Sequence, residues 1–339
     1  MHPLLDLSRD QILAHRRAVS ALDERLLEGA SSLRTAAWAG LQDSMPRAAL
    51  LSIHARVRGA QPSTWEDPAL VQVWGPRFSA YVVAADDVAP FTLGRMPDDE
   101  HGRQRAEDAA ERLHGFLGGR RLTYGEAGRA LGHNPNSLRY GTTTGTIRIR
   151  WDGARQPVVW TAPRPRIDAF DARVELARRY LHVLGPGTPD AFSKWAGIKA
   201  PRGRAAFEAL KASLASVRTP VGDAWILTSD ESSFTTAPVP SKGARLLPSG
   251  DTYFLYWGAD RELLVPEARL RSALWTSRVW PGAVLLDGEI VGTWRRAESE
   301  VSIAAWRRLS PTERQTVEAE AASLPLPDLR RPIGVTWLE

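Results

Sequence analysis

The run Ile147-Arg148-Ile149-Arg150 alternates apolar and basic side chains, and Arg155 follows shortly after. On an extended chain, residues two apart face the same side. Arg148 and Arg150 are therefore spaced to clamp phosphate oxygens, with Arg155 beside them. Just upstream, Asn134, Asn136, Arg139 and Tyr140 gather side-chain types that read base edges. An Asn-Pro-Asn start is equally a helix cap. Arg77 closes Gly75-Pro76-Arg77 between two apolar runs. An arginine at such a turn tip reaches phosphate or the minor groove, or stays an exposed solubilising charge. Gln42, Asp43 and Ser44 place an amide, a carboxylate and a hydroxyl in succession, ahead of Pro46 and Arg47. Read locally, this is a helix start. Asp43 or Ser44 caps it, and Pro46 takes the first position, where its missing N–H does no harm.

A repeat supplies the elements that must carry these groups. LTYGEAGRALG at 122–132 and GTPDAFSKWAG at 187–197 each begin with a threonine, Thr123 or Thr188, and close on a glycine nine residues later, Gly132 or Gly197. Threonine caps a helix and glycine ends it in a left-handed turn, as in the first helix of a helix-turn-helix. After Gly132 the pattern predicts a second helix bearing Asn134 to Tyr140. Wing strands at 146–151 and 157–161 follow, which is the plan of a winged helix.

The N-terminal region reads as a less obvious first copy. It has helices at 7–28 (with Ser8 and Gln11 as a capping box), 31–44 and 46–58, and strands at 71–74 and 78–84. A charged helix at 101–117 leads into the second copy, and Pro163-Arg164-Pro165-Arg166 is a stiff basic linker. The third copy takes helices at 171–184 and 201–216 and a strand at 224–228. Beyond the turn-rich 238–243, strands are predicted at 244–247, 252–257, 283–286 and 289–295. Asp287-Gly288 marks a hairpin, and a helix at 309–324 closes the chain. The expected fold class is α+β, mainly α. Three tandem winged-helix units, 1–95, 96–166 and 167–237, precede a small β-rich module at 238–339.

Composition narrows the function. The 339 residues suffice for several domains with a sizeable core, and 43% hydrophobic with 24% charged residues is ordinary for a soluble protein. Without cysteine there is no disulfide, thiolate zinc site or cysteine nucleophile. No run approaches the ~20 apolar residues of a membrane span, and the N-terminus lacks a signal-peptide pattern, so a cytoplasmic location is expected. The net charge of +5 comes from 44 basic residues, of which only four are lysine, a skew that a GC-rich genome alone produces. Its distribution is more telling: residues 120–180 hold twelve arginines against five acidic residues. A focused stripe of this kind fits a polyanion.

Other features point away from chemistry. The segment 141–146 lacks the lysine and preceding strand of a phosphate loop. His54, His114, His133 and His182 have no metal-ligand spacing, so no metal or organic cofactor is implied. Most of the thirteen tryptophans, including Trp160, Trp195, Trp257 and Trp294, fall in strand or helix patterns and read as core. Asp251 precedes an aromatic run and reads as a turn residue, with a second acid near the site as the alternative.

The chain resembles the winged-helix DNA-binding family of bacterial DNA glycosylases that unhook interstrand crosslinks, the AlkZ and YcaQ type. The residues that carry the resemblance are spread in order along the chain: GLQDSMPRAALL at 40–51, VWGPR at 73–77, ARRYL at 177–181, TPDAFSKWAG at 188–197, LLP at 246–248 with Asp251, and LDGEIVGTW at 286–294. The resemblance implies a concave basic face made by the winged units, with residues 42–44 at its centre. It also implies hydrolysis of the N-glycosidic bond of an alkylated purine. Enzymes of that family carry a Gln, one intervening residue, then a Gln or Asp. Here Gln42 matches and Ser44 stands in the second position. Gln42 would hold water, helped by Asp43 or Ser44. An alkylated purine already carries positive charge and needs little acid help to leave.

The expectation is a monomeric protein bound to duplex DNA, alkylated or crosslinked, through Arg47, Arg77, Asn134, Asn136, Arg139, Tyr140, Arg148, Arg150 and Arg155, with glycosylase chemistry at Gln42. The alternative is a non-catalytic DNA-binding protein for lesion recognition or transcriptional regulation, which the departure at Ser44 favours. A protein-interaction scaffold fits the arginine stripe less well.

Overall fold

A computed structural model describes residues 5–132, 134–153, 155–327, 329 and 331–338. Both copies of the repeat fold as their caps dictate. Thr123 accepts a hydrogen bond from the Glu126 N–H at the head of helix Tyr124–Ala130, and Glu126 returns the bond. Thr188 accepts from the Ala191 N–H at the head of Pro189–Ala196. Gly132 and Gly197 both take left-handed backbone. The Ser8–Gln11 capping box also forms, at the start of Arg9–Val19.

Three sheets organise the chain. The largest is antiparallel and six-stranded, in the order Leu41–Gln42, Ala80–Ala84, Leu70–Trp74, Ile147–Arg150, Val158–Thr161, Leu122–Thr123. The two expected hairpins therefore join edge to edge, through the pair Gln72 and Ile149. A three-stranded sheet pairs Leu5–Asp6 with the hairpin Leu214–Thr219 and Gly222–Leu227. A five-stranded sheet contains Ala244–Leu247, Gly282–Leu286, Glu289–Ala297, Glu300–Ala305 and Gly334–Leu338. One apolar core runs from Leu13 through Val73, Tyr81, Tyr180, Trp195 and Phe254 to Ile290, so distant parts of the chain share a single interior.

Several expectations are corrected. The first helix stops at Val19, and the chain reverses through Ala21 in left-handed backbone. The helix expected over 31–44 ends at Ala36. Gly40, at φ +71 and against the Phe91 and Tyr81 rings, turns the chain into a strand at Leu41–Gln42. The next helix is Ala48–Arg56, so Pro46 precedes it rather than opening it. The expected second helix of the middle copy is a 3-10 segment, Pro135–Thr144, tied by threonine hydroxyls bonding back to carbonyls three residues earlier. Helix Ala200–Leu210 gives way to strand Leu214–Thr219 inside the span predicted as helix. The strand expected at 252–257 is instead a turn, Thr252–Phe254, because Asp251 caps it. The hairpin at Asp287-Gly288 forms as predicted, both residues having positive φ. Among the described residues, no helix is long and apolar enough to cross a membrane.

Candidate active site

Gln42 ends a two-residue edge strand opposite Tyr81. Strand geometry sends successive side chains to opposite faces. Gln42 and Ser44 accordingly share one side, where the Gln42 Nε2 donates to Ser44 Oγ at 3.1 Å. Asp43 turns the other way and is buried. Its Oδ1 accepts the Ala49 N–H at 2.9 Å, at the head of helix Ala48–Arg56, and its Oδ2 accepts from the Gln72 side-chain amide. Asp43 therefore braces the first turn of this helix from outside it, the N-cap position itself being Arg47, whose side chain makes no capping bond. Burial pushes the Asp43 carboxyl up to about 6, against the opposing pull of those two donors and of Arg47 and Arg150.

The Gln42 amide is held at both ends. Its Oε1 accepts from Arg77 Nη2 at 3.1 Å and from the Tyr81 hydroxyl at 3.4 Å. Two donors on Oε1 fix which end of the amide is oxygen and leave one Nε2 hydrogen unspent after Ser44. Burial raises the Tyr81 pKa, with Arg77 opposing, so the phenol stays protonated and able to donate. Around this amide lies a cleft of about 260 Å³. Ser44, Arg77, Gly250, Trp257, Arg278 and Trp280 are among its walls, and the lining contains no carboxylate.

Four stretches of chain fix the cleft. Arg77 Nη1 donates to the Trp195 carbonyl, and its guanidinium lies 4.5 Å from the Trp257 ring centre. Gly197 at +68° lets the Arg77 backbone approach: a Cβ there would lie 2.8 Å from the Arg77 nitrogen. Gln72 joins Asp43 to the second hairpin, since its Oε1 accepts the Trp151 N–H at 2.6 Å. Thr252 Oγ1 donates to the Gly40 carbonyl at 2.7 Å, which seats the 248–254 loop and brings Gly250 against Gln42. The loop is anchored by Asp251, which is fully buried in a two-pronged ion pair with Arg56 and accepts the Ser52 hydroxyl. Asp251 is thus the turn residue, with its carboxylate spent.

The expected DNA-contacting residues divide. Arg47 and Arg150 flank the Trp65 ring, at 4.4 and 3.5 Å from its centre, and Arg150 also pairs with Glu66 at 2.9 Å. Arg148 donates to the carbonyls of Gly145 and Ile147, and burial lowers its pKa to about 10. Arg139 lies over Trp74 and Tyr124. Asn134 caps its segment by accepting the Asn136 N–H, while Asn136 and Arg155 are exposed. Tyr140 is partly exposed, with Arg105 over its ring and the Phe78 ring edge against it. Gly153, in the turn that precedes Arg155, packs on Pro46, so the second hairpin reaches the rim of the Gln42 segment.

Arg77 and Phe78 both occupy left-handed backbone, at φ 55 and 58. For residues with a Cβ this costs roughly 1–2 kcal/mol each. Sequence reasoning missed Tyr81 and Gly250; Trp257, read as core, packs on the main core while its other side is part of the cleft wall. Tyr81 reaches the Gln42 face only through the pairing of the two strands, which no local signal marks. Trp195 and Trp294 are buried as expected. Among the described residues no cluster of His, Asp or Glu is placed to hold a metal. His133 lies outside those residues.

The site is thus an amide held at both ends in a cleft walled by Arg77, Arg278, Trp257 and Trp280. The chain belongs to the AlkZ-like DNA glycosylase family, whose model matches residues 35–325. Its fold is similar to that of Streptomyces sahachiroi DNA glycosylase AlkZ, with a TM-score of 0.76 and 18% identity over 98% of this chain and 100% of that one. No curated protein sequence matches the chain.

Proposed function

We propose that the protein is a DNA glycosylase that hydrolyses the N-glycosidic bond of alkylated purines in duplex DNA, with Gln42 holding the attacking water. The observation that carries this reading is the fixed Gln42 amide, whose Nε2 faces the cleft beside Ser44 Oγ. A water accepting from the free Nε2 hydrogen and donating to Ser44 Oγ keeps one lone pair for C1′ of the sugar. N7-alkylation makes the purine a cation that departs as a neutral base, so the bond breaks towards an oxocarbenium-like sugar without an acid. The incoming water then needs only orientation until it has bonded, and its proton passes to solvent through the Ser44 hydroxyl. Asp43 takes no part, because its carboxylate is buried on the far side of the strand.

The winged-helix reading of the three copies, with the wings presented to DNA, belongs to the same proposal. Exposed Arg155 and Asn136 and the Tyr140 ring would meet the duplex, while Arg47 and Arg150 stiffen the rim through Trp65. One observation favours non-catalytic lesion binding instead: the absence of any carboxylate among the cleft-lining residues. Base release from duplex DNA carrying N7-alkylguanine separates the readings. Release by the native protein that is lost in Gln42→Ala supports the glycosylase. Salt-sensitive binding without release supports the binding protein.

A further inference from the structure

We propose that Arg77 is a positioning residue for Gln42, setting the orientation of the amide, and does not act as a wing-tip phosphate contact. The inference rests on the reading of Gln42 as the water-holding group.

The guanidinium of Arg77 is already committed. One nitrogen donates to the Trp195 carbonyl, the other to Gln42 Oε1 and towards the Tyr81 oxygen, and its flat face covers Trp257. Both terminal nitrogens thus bond inside the protein, on the side of the cleft that holds Gln42. The backbone supports the same conclusion. Arg77 and Phe78 hold consecutive left-handed conformations that glycine would adopt without cost. Strained backbone persists where the side chains it aims are worth the strain. Here Arg77 reaches Gln42, and Phe78 locks the turn between Arg95, 4.7 Å from its ring centre, and Tyr140. Gly197 completes the device, since a Cβ there would press on the Arg77 backbone nitrogen and on Cγ.

The consequence for the amide is specific. Without Arg77, Oε1 keeps a single donor, Tyr81, at 3.4 Å. The last side-chain torsion of glutamine is soft and roughly two-fold, so the amide then samples both orientations. One of them turns Oε1 towards Ser44 and removes the N–H that would hold the water. A lysine does not restore the arrangement, because a point charge cannot serve Trp195 and Gln42 in one plane.

The test compares native protein with Arg77→Lys and Arg77→Met, each labelled with ¹⁵N-glutamine, the Gln42 side-chain signals being assigned by their absence in Gln42→Ala. The native Gln42 amide should give two resolved, slowly exchanging protons. Both variants should lose that dispersion. The slope of log affinity against log salt for an unmodified duplex should stay unchanged. On DNA carrying N7-methylguanine, kcat should fall about 100-fold with KM unchanged, as for a slightly misplaced reacting group. Unchanged Gln42 signals together with a slope reduced by about one in Arg77→Met would overturn the proposal and make Arg77 a phosphate contact. If Arg77→Met fails to fold, Arg77→Lys decides alone, because a phosphate contact tolerates lysine. If the native protein releases no base, the glycosylase reading fails by itself, and the resonance and salt-slope arms still decide the role of Arg77.

Discussion

Gln42 and Asp43 are neighbours whose side chains leave the strand on opposite faces, Gln42 into the cleft with Ser44 and Asp43 into the interior onto the Ala49 N–H. A strand at this point, where a helix end was expected, separates candidate chemistry from structural support within two residues.

Asp43→Ala should therefore cost stability and spare base release per folded molecule. The loss combines the bond to the Ala49 N–H, about 1 kcal/mol, with one unsatisfied hydrogen of the Gln72 amide, about 1–3 kcal/mol, the Trp151 carbonyl still accepting from that nitrogen. Ser44→Ala should do the reverse, slowing release with no more than about 0.5 kcal/mol of stability change, since Ser44 is exposed. Urea unfolding and single-turnover release on both variants check the pair. Full loss of release in stable Asp43→Ala protein would give Asp43 a part in the chemistry.

Stability should fall with acid between pH 6.5 and 4. His15 and His54 are buried, and burial is the largest cause lowering each to about 4. A depressed histidine pKa gives stability that is present above 6.5 and lost as pH falls through that window, by at most about 3 kcal/mol for each. Asp43 works in the opposite sense. Raised to about 6, it contributes stability below its ordinary value that is lost as pH rises. Two histidines outweigh one carboxylate. Unfolding free energies at pH 7 and 4.5 should show a net loss in acid, and the His15→Gln, His54→Gln double variant should flatten it. An equally steep double variant would show that other groups set the slope.

Gly250 should be intolerant of a side chain for reasons of activity. Its φ is +77, and a Cβ there would lie 3.1 Å from Gln42 Nε2. Gly250→Ala is expected to displace the amide and lower base release about tenfold or more, with DNA affinity unchanged. A loss of affinity with an unchanged release rate on bound DNA would contradict this.

The arginines of the second hairpin should not be equivalent. Arg155 is exposed, while Arg150 is held by Trp65 and Glu66. Arg155→Ala should reduce the salt slope of duplex binding by about one, and Arg150→Ala should leave it unchanged. The opposite pattern in a salt titration would show that Arg150 leaves its stack to meet phosphate.

Local signals made much of this legible. Thr123, Thr188, Ser8 and Ser310 cap helices where a hydroxyl and its neighbours require it, and Asp287-Gly288 makes its hairpin. What escaped depends on distant partners. The strand at Leu41–Gln42 is only two residues long and forms because Ala80–Ala84 offers an edge. Arg150 has the right period for a phosphate clamp, but its stacking on Trp65 is a tertiary event. Asp251 looks like any turn acid until Arg56 is brought to it. Trp257 fits a core pattern, and only the fold opens one side of it to the Gln42 cleft.

The most direct measurement is single-turnover release of N7-methylguanine from duplex DNA by the native protein, Gln42→Ala and Asp43→Ala, each saturated with substrate. Release by native and Asp43→Ala protein, with a loss of at least about 100-fold in Gln42→Ala, is the predicted result. Equal release by all three would contradict the account, because the chemistry would then lie outside the Gln42 cleft.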